Sequence, residues 1–309
     1  MKDVIVIGLG PAGITASLYI LRAKLSVLGI EKFAFGGQIN LTYRIENYPG
    51  FPDGISGYEL AELFKKQIDN YGLEVVTSEV VSLDIEDNCF EVVTKNGRYQ
   101  ALAIVIATGA SPRKLGVKGE REFTGRGVSY CATCDAPFYK DKITAVVGGG
   151  NTACEEALYL AKFCKKVYLI HRRDRLRAEK FLQDRIFATS NVELVLNSTV
   201  EEIKGDEKVD AVVVKNLKQN KVTSIEVDGI FIFVGHKPNT DFCKHIIEVD
   251  SNDYIITDSD FQTSVKGIFA AGDVRANSLK QVISACGEGA KAGQSAIKYV
   301  ERLKGTAYE

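Results

Sequence analysis

The fold class the sequence predicts is α/β, built from two copies of a strand, glycine turn and helix unit. Three observations predict it. The strand-like run Val4-Ile5-Val6-Ile7 leads into Gly8-Leu9-Gly10-Pro11-Ala12-Gly13 and then a helical pattern. Further on, Thr144-Ala145-Val146-Val147 leads into Gly148-Gly149-Gly150-Asn151-Thr152-Ala153 and a second helical pattern. The offsets also match: 23 residues separate Gly8 from Glu31 and 23 separate Gly148 from His171, and each endpoint follows another strand-like run. Strand, glycine turn, helix and strand at this spacing is the signature of a dinucleotide-binding βαβ unit. Two Rossmann-like dinucleotide-binding domains are therefore expected.

Each copy closes alike. The first reaches Ala103 to Ala107 and then Thr108-Gly109-Ala110-Ser111-Pro112; the second reaches Ile230 to Val234 and then Gly235-His236-Lys237-Pro238-Asn239. Copy one thus spans 1–112 and copy two 113–240. The remaining tail, about 70 residues, is short for an independent domain. It holds a further apolar run into a turn, Gly267-Ile268-Phe269-Ala270-Ala271-Gly272-Asp273. The residues alone leave open which copy it completes.

The chemistry of each turn follows from its residues. Glycine lets the backbone approach a pyrophosphate, and the helix N-terminus supplies N–H donors and a positive dipole end. Glu31 stands where a carboxylate accepts from ribose hydroxyls, which favours FAD or NAD, nucleotides without a 2′-phosphate. The second copy has no acid at that place. It reads His171-Arg172-Arg173-Asp174-Arg175-Leu176-Arg177, and Arg172, Arg173 and Arg177 suit a 2′-phosphate, so NADP is expected rather than NAD. His171 shapes this turn, and Arg175 is placed on the exposed face. Two sites of different preference suggest electron flow from NADPH to a flavin.

Cys131-Ala132-Thr133-Cys134 reads as half a zinc site or as a redox dithiol. Zinc needs two more ligands; the other cysteines (89, 154, 164, 243 and 286) are scattered, and the chain has only three histidines. A redox pair is the stronger reading and no metal is expected. Asp135 either exchanges a proton with a thiolate or serves as a first-turn acid.

Composition narrows the class. The net charge is −1, from 39 basic and 40 acidic residues, so no bulk field favours nucleic acid or a membrane surface. Val4 to Leu21 is uncharged, but Gly8, Gly10, Pro11 and Gly13 interrupt it, which argues against a membrane span. The start Met1-Lys2-Asp3 carries no signal-peptide pattern, and a reducing, cytoplasmic setting is expected.

Over essentially its whole length the chain closely resembles the low-molecular-weight, bacterial-type thioredoxin reductases of the pyridine nucleotide-disulfide oxidoreductase family. The residues that carry the resemblance are, in the family's order, Gly8 to Gly13, Gly36-Gly37-Gln38, Glu46-Asn47-Tyr48-Pro49-Gly50, Ala107-Thr108-Gly109-Ala110, Cys131 to Asp135, Gly148 to Ala153, His171 to Arg177, and Gly272-Asp273-Val274 with Gln281. The resemblance implies a discontinuous FAD domain, 1–112 with 241–309, and an NADPH domain, 113–240, that carries the cysteine pair. It implies FAD contacts from Gly8, Gly10, Pro11, Ala12, Gly13, Glu31, Gly36, Gly37, Gln38, Asn47, Ala107, Thr108, Gly109, Gly272, Asp273 and Gln281, with Asp273 on the ribityl chain. NADPH contacts would come from Gly148, Gly150, Asn151, Thr152, His171, Arg172, Arg173 and Arg177.

The implied activity is transfer of electrons from NADPH through FAD to a Cys131–Cys134 disulfide and on to thioredoxin. Cys134 would be the flavin-proximal sulfur, Cys131 the attacking thiol and Asp135 the proton carrier. A homodimer is implied, as is rotation of the smaller domain on joints near Gly116–Gly119 and Gly235. The alternative is a flavoprotein of the same fold with another donor, such as ferredoxin, or another thioredoxin-like acceptor. Relatives that abandon NADPH are expected to lose the second glycine turn or the arginine pair, and this chain keeps both. One departure concerns the partner: the first of two family aromatics that help dock thioredoxin is Pro137 here, while Phe138 remains.

Overall fold

The computed structural model describes residues 1–42, 45–87 and 89–307. The chain divides into two compact units, Met1–Ser111 with Lys237–Glu309, and Pro112–His236.

The first apolar run forms β1 (Lys2–Ile7), and α1 (Pro11–Arg22) begins on Pro11, whose fixed φ suits a first helical turn. After β2 (Val27–Glu31), α2 (Gly57–Asp69) opens on a capping box in which Glu59 N–H donates to Ser56 Oγ at 3.1 Å and Ser56 N–H to the Glu59 carboxylate at 3.3 Å. Strands β3 (Glu74–Thr77), β4 (Val80–Ile85), β5 (Phe90–Thr94), β6 (Gly97–Ile106) and β7 (Ala110–Pro112) follow. The main sheet runs β3-β2-β1-β6-β5-β4. Strand β1 lies parallel between β2 and β6, while β5 pairs with the first half of β6 in the antiparallel sense. Val4 and Val6 enter one core and Ile5 and Ile7 the other. A strand buried on both faces reads as a continuous apolar run, which is why this segment shows no alternation.

The second unit contains β8 (Val128–Ser129), the short helix α3 (Ala132–Asp135), β9 (Ile143–Val147), α4 (Asn151–Leu160), β10 (Lys166–Ile170), α5 (Lys180–Ala188) and β11 (Val192–Val195). An antiparallel sheet of β12 (Ser198–Gly205), β13 (Val209–Asn216) and β14 (Lys221–Glu226) precedes β15 (Gly229–Ile232). The parallel sheet has the order β11-β10-β9-β15-β8.

Strand β16 (His236–Pro238) pairs with β7, so the two closing turns noted in the sequence lie side by side in one small sheet. The tail belongs to the first unit. Its β17 (Ile268–Ala270) lies parallel on the second half of β6, with Ile268 opposite Ile104. Its long helix α6 (Val282–Lys304) packs Ala285, Ala292, Ala296 and Ile297 into the core shared with Ala12, Ala16 and Ile20 of α1. No helix among the described residues is long and apolar enough to cross a membrane.

Candidate nucleotide-binding and disulfide sites

In the first unit the glycine turn joins β1 to α1. Gly8 has φ +92°, and a Cβ there would collide with the Ala107 carbonyl, so the fold itself demands glycine. Gly10 is different. Its φ is −75°, and a Cβ would meet only the Gly36 carbonyl oxygen, at 3.8 Å. Nothing among the described residues requires glycine at Gly10, and no described side chain caps the N-terminus of α1. Open space beside uncapped N–H donors is what a pyrophosphate needs.

Glu31 ends β2 with one carboxylate oxygen accepting Leu9 N–H at 2.8 Å and the other accepting Phe33 N–H at 3.0 Å. These bonds fix the carboxylate beside the turn, and each oxygen keeps a lone pair for a ribose hydroxyl. Next to it lies a cavity of about 260 Å³ lined by Glu31, Phe33, Phe35, Ile68, Leu73 and Thr77 among others. Its largely apolar wall fits a flat aromatic base. The residues of the first unit thus fit FAD.

The other first-unit residues are held by contacts of their own. Gly36 N–H donates to Leu9 O at 2.8 Å, which folds the Gly36–Gly37 turn under the first glycine turn. The Gln38 amide donates to Ala110 O, and Asn47 Nδ2 donates to Gln281 Oε1 at 2.9 Å. Asp273 sits in a short turn after β17, and burial pushes its carboxyl up to about 6, with the Lys280 charge opposing and Glu288 adding to the rise.

The second unit repeats the construction. Gly148 has φ +153°, and a Cβ there would strike the Phe233 carbonyl and the Ala153 methyl. Gly150 has φ −93°, and a Cβ there would meet nothing within 4 Å. The N-terminus of α4 likewise has no side-chain cap. Arg177 N–H donates to Gly149 O at 2.6 Å, and Asn151 and Glu179 exchange two bonds of 2.9 Å, so the arginine turn is tied to the glycine turn. Asn151 is therefore engaged by a carboxylate of its own chain. His171 is buried at 5% exposure with Nε2 unpaired. Desolvation, then the charges of Arg177, Arg173 and Arg172, hold its pKa below the ordinary value, so the ring is neutral. Arg172, Arg173 and Arg177 are exposed, and none pairs with an acid among the described residues. Three unpaired guanidinium groups around an imidazole whose Nε2 is unpartnered fit an anionic ligand, as the 2′-phosphate of NADPH would supply.

Cys131 is disulfide-bonded and sits just before α3. Its N–H donates to Ser129 Oγ at 3.1 Å. The side chain of Cys134 lies outside the described residues. Asp135 ends α3, and its charge helps raise the pKa of the Tyr139 phenol, after burial. Cys89, Cys154, Cys164, Cys243 and Cys286 are free thiols; burial pushes Cys154 up to about 11 and Cys243 up to about 12, so neither is a thiolate at neutral pH. Among the described residues no His, Cys, Asp and Glu group is arranged to hold a metal ion.

Two supporting residues carry no role that the sequence announces. Asn239 locks the Thr108–Gly109 turn: its Nδ2 donates to Thr108 O at 2.8 Å, its N–H to Gly109 O at 3.0 Å, and its own carbonyl accepts Thr108 Oγ1 at 2.8 Å. Glu120, 3% exposed, accepts Leu115 N–H, Gly116 N–H and the Tyr130 hydroxyl. Proximity to Asn-Thr and Cys-pair turns is a weak local signal, and neither residue carries a stronger one.

Fold and residues together define a flavin- and nicotinamide-linked disulfide oxidoreductase, and the family model described as pyridine nucleotide-disulphide oxidoreductase matches residues 2–289. A thioredoxin reductase from Treponema pallidum is 44% identical over 302 residues, covering 98% of this chain and 98% of the relative. The solved thioredoxin reductase of Lactococcus lactis superposes with a TM-score of 0.96 at 41% identity, covering 98% of this chain and 100% of that one. A ferredoxin-flavin thioredoxin reductase from Clostridium acetobutylicum is 34% identical, with a TM-score of 0.53 over 98% of each chain. The chain belongs to the thioredoxin reductase family of flavin- and pyridine nucleotide-linked disulfide oxidoreductases.

Proposed function

We propose that this chain is an NADPH-dependent thioredoxin-disulfide reductase. The observation that carries the reading is the content of the second unit: a disulfide-bonded Cys131 together with the unpaired Arg172, Arg173 and Arg177 beside an open Gly150. In this reading the first unit holds FAD through the Gly8–Gly13 turn, Glu31, Gly36–Gln38, Asn47, Ala107–Gly109, Gly272, Asp273 and Gln281. The second unit holds NADPH through Gly148, Gly150, Asn151, Thr152, His171 and the three arginines. Once bound, the pair would supply two-electron chemistry, with NADPH as hydride donor and the flavin as the redox centre.

The chain's own residues do the rest. The Cys131–Cys134 disulfide takes up two electrons and opens to a thiol and a thiolate, with Asp135 exchanging the proton. The Cys131 thiolate attacks one sulfur of the thioredoxin disulfide and expels the other as a thiolate. Cys134 then attacks the mixed disulfide at Cys131, which restores the internal disulfide and releases thioredoxin as a dithiol. Phe138, 72% exposed, is the docking residue of the partner surface. The working form is a homodimer in a reducing cytoplasm.

A ferredoxin donor is the second reading, and the arginine cluster weighs against it. Anaerobic absorbance titration separates the two. Bleaching of the flavin by NADPH well ahead of NADH, followed by reduction of a thioredoxin disulfide, supports the proposal. Bleaching by reduced ferredoxin and by neither nucleotide overturns the donor, and bleaching without thioredoxin reduction overturns the acceptor.

A further inference from the structure

A mostly buried ion pair sits against the turn that carries Asp273. Arg275 Nε and Nη2 donate to the two oxygens of Glu288 at 3.2 and 3.3 Å. The Glu288 oxygen that accepts Arg275 Nε also accepts Gly272 N–H, at 2.8 Å. Glu288, from α6, therefore grips the backbone just before Asp273 and the side chain two residues after it. Arg275 is itself fixed: Nη1 donates to Thr257 Oγ1 at 3.0 Å, and the guanidinium lies 4.4 Å from the Phe261 ring centroid. Arg275 N–H closes the turn onto Gly272 O at 3.0 Å. The two side chains are 16% and 11% exposed.

Burying two charges costs desolvation that their attraction only partly offsets, so apolar residues would hold the loop as firmly. What apolar residues cannot do is accept a backbone N–H and a guanidinium on one rigid carboxylate. The pair is therefore better suited to fixing direction than to adding stability. Its position, bracketing Asp273, says which direction matters.

We propose that Glu288, held by Arg275, is a positioning residue for the cofactor, locking the Gly272-Asp273-Val274 turn so that the Asp273 carboxylate meets the ribityl hydroxyls of FAD in one orientation. The inference rests on the reading of Asp273 as an FAD ligand. Two charged groups face Asp273: Lys280 from the loop that follows and Glu288 from α6. The first favours the carboxylate form and the second opposes it, so Glu288 adds to a rise whose main cause is burial.

The test is the rate of FAD release from the full-length holoprotein, followed by flavin fluorescence from pH 5 to 8. Glu288→Ala is expected to release FAD about tenfold faster or more at neutral pH, the scale of one lost hydrogen bond to a charged group. Glu288→Gln, which still accepts Gly272 N–H but carries no charge, is expected to recover part of that loss. It should also move the pH inflection of FAD release downward, because the charge that adds to the Asp273 rise is gone, and an inflection left at the wild-type pH would show that Glu288 does not act on Asp273. Asp273→Asn should speed release and abolish the inflection. Fast release from Asp273→Asn with wild-type behaviour of Glu288→Ala and Glu288→Gln overturns the clamp alone. Wild-type release from Asp273→Asn overturns the FAD reading beneath it.

Discussion

Tyr130 donates its phenolic hydrogen to Glu120 at 2.7 Å, and the same carboxylate accepts Leu115 N–H at 2.8 Å and Gly116 N–H at 2.6 Å. One buried acid thereby joins the segment entering the second unit to the residue next to Cys131. Burial, with Glu120 adding to it, pushes the Tyr130 phenol well above its ordinary range, so the hydroxyl stays a donor at any working pH. Tyr130→Phe removes one bond to a charged acceptor and should cost about 1–3 kcal/mol, whereas Glu120→Ala orphans three donors at once and should cost at least about 3 kcal/mol. Urea unfolding of the two variants checks the order. A Tyr130→Phe loss equal to or larger than that of Glu120→Ala would show that the carboxylate is not the hub.

The glycine turns give a paired prediction. Gly8→Ala forces a Cβ into the Ala107 carbonyl at φ +92° and should destabilise the fold by about 2–4 kcal/mol. Gly10→Ala and Gly150→Ala enter open space at ordinary φ, so their effect on the apo fold should stay within about 1 kcal/mol, the range of a cap substitution. Both should nevertheless weaken nucleotide binding, Gly10→Ala for FAD and Gly150→Ala for NADPH. Calorimetric unfolding beside binding titration separates the effects. Normal affinity in the two permissive variants would mean that the open space is not where the phosphates lie.

How far the sequence could be read depends on how local each feature is. Val4 to Gly13 and Thr144 to Ala153 were legible because strand, turn and helix signals follow one another without a gap. The cysteine pair was legible from its spacing. Asn239 and Thr108 were not, because a reciprocal bond across 131 residues leaves no pattern in either segment. Glu120 lies in Gly119-Glu120-Arg121-Glu122, which reads as a solvated charged run, yet the fold turns this one acid inward. The tail was ambiguous for a related reason: Ile268 to Ala270 is a three-residue strand whose partner, β6, is more than 160 residues upstream. The residues alone announce an apolar run there; the family resemblance places the tail with the first copy, and the pairing with β6 shows how it joins the first unit.

The arginine cluster predicts a change of nucleotide preference. Arg172 and Arg173 have no acid to hold them among the described residues, so replacing both with Gln leaves no orphaned partner and should barely change stability. Each lost charge-assisted bond to a 2′-phosphate is worth roughly 1.5–3 kcal/mol, so KM for NADPH should rise about 100-fold or more while that for NADH moves only a few-fold. Steady-state kinetics with both nucleotides is the measurement. An unchanged ratio would remove the 2′-phosphate from this turn.

The cysteine pair separates the two half-reactions. Cys134→Ser leaves Cys131 without an internal partner, so turnover with thioredoxin should fall to background. The nucleotide turns are untouched, and anaerobic NADPH should still bleach the flavin absorbance. A variant that kept thioredoxin turnover would place the acceptor chemistry elsewhere in the chain.

Asp273 predicts that a binding residue weakens the empty fold. Its pKa rises from an ordinary 3.8 to about 6 in the folded chain, chiefly through burial. Between those two values the folded state keeps a proton that the unfolded chain has released. By linkage, stability therefore falls as pH rises through this window, and the loss is complete above about pH 6. Asp273→Asn keeps the shape and removes the charge, so the FAD-free protein should gain about 1–3 kcal/mol at pH 7.5 and progressively less as pH falls toward 4. The same substitution should weaken FAD retention, since a neutral amide is a poorer acceptor for a hydroxyl than a carboxylate is. Urea unfolding of the apo form at several pH values, beside FAD release from the holo form, tests both halves. A variant less stable than wild type at pH 7.5 would mean that the Asp273 charge is compensated inside the fold and is not held there for the ligand.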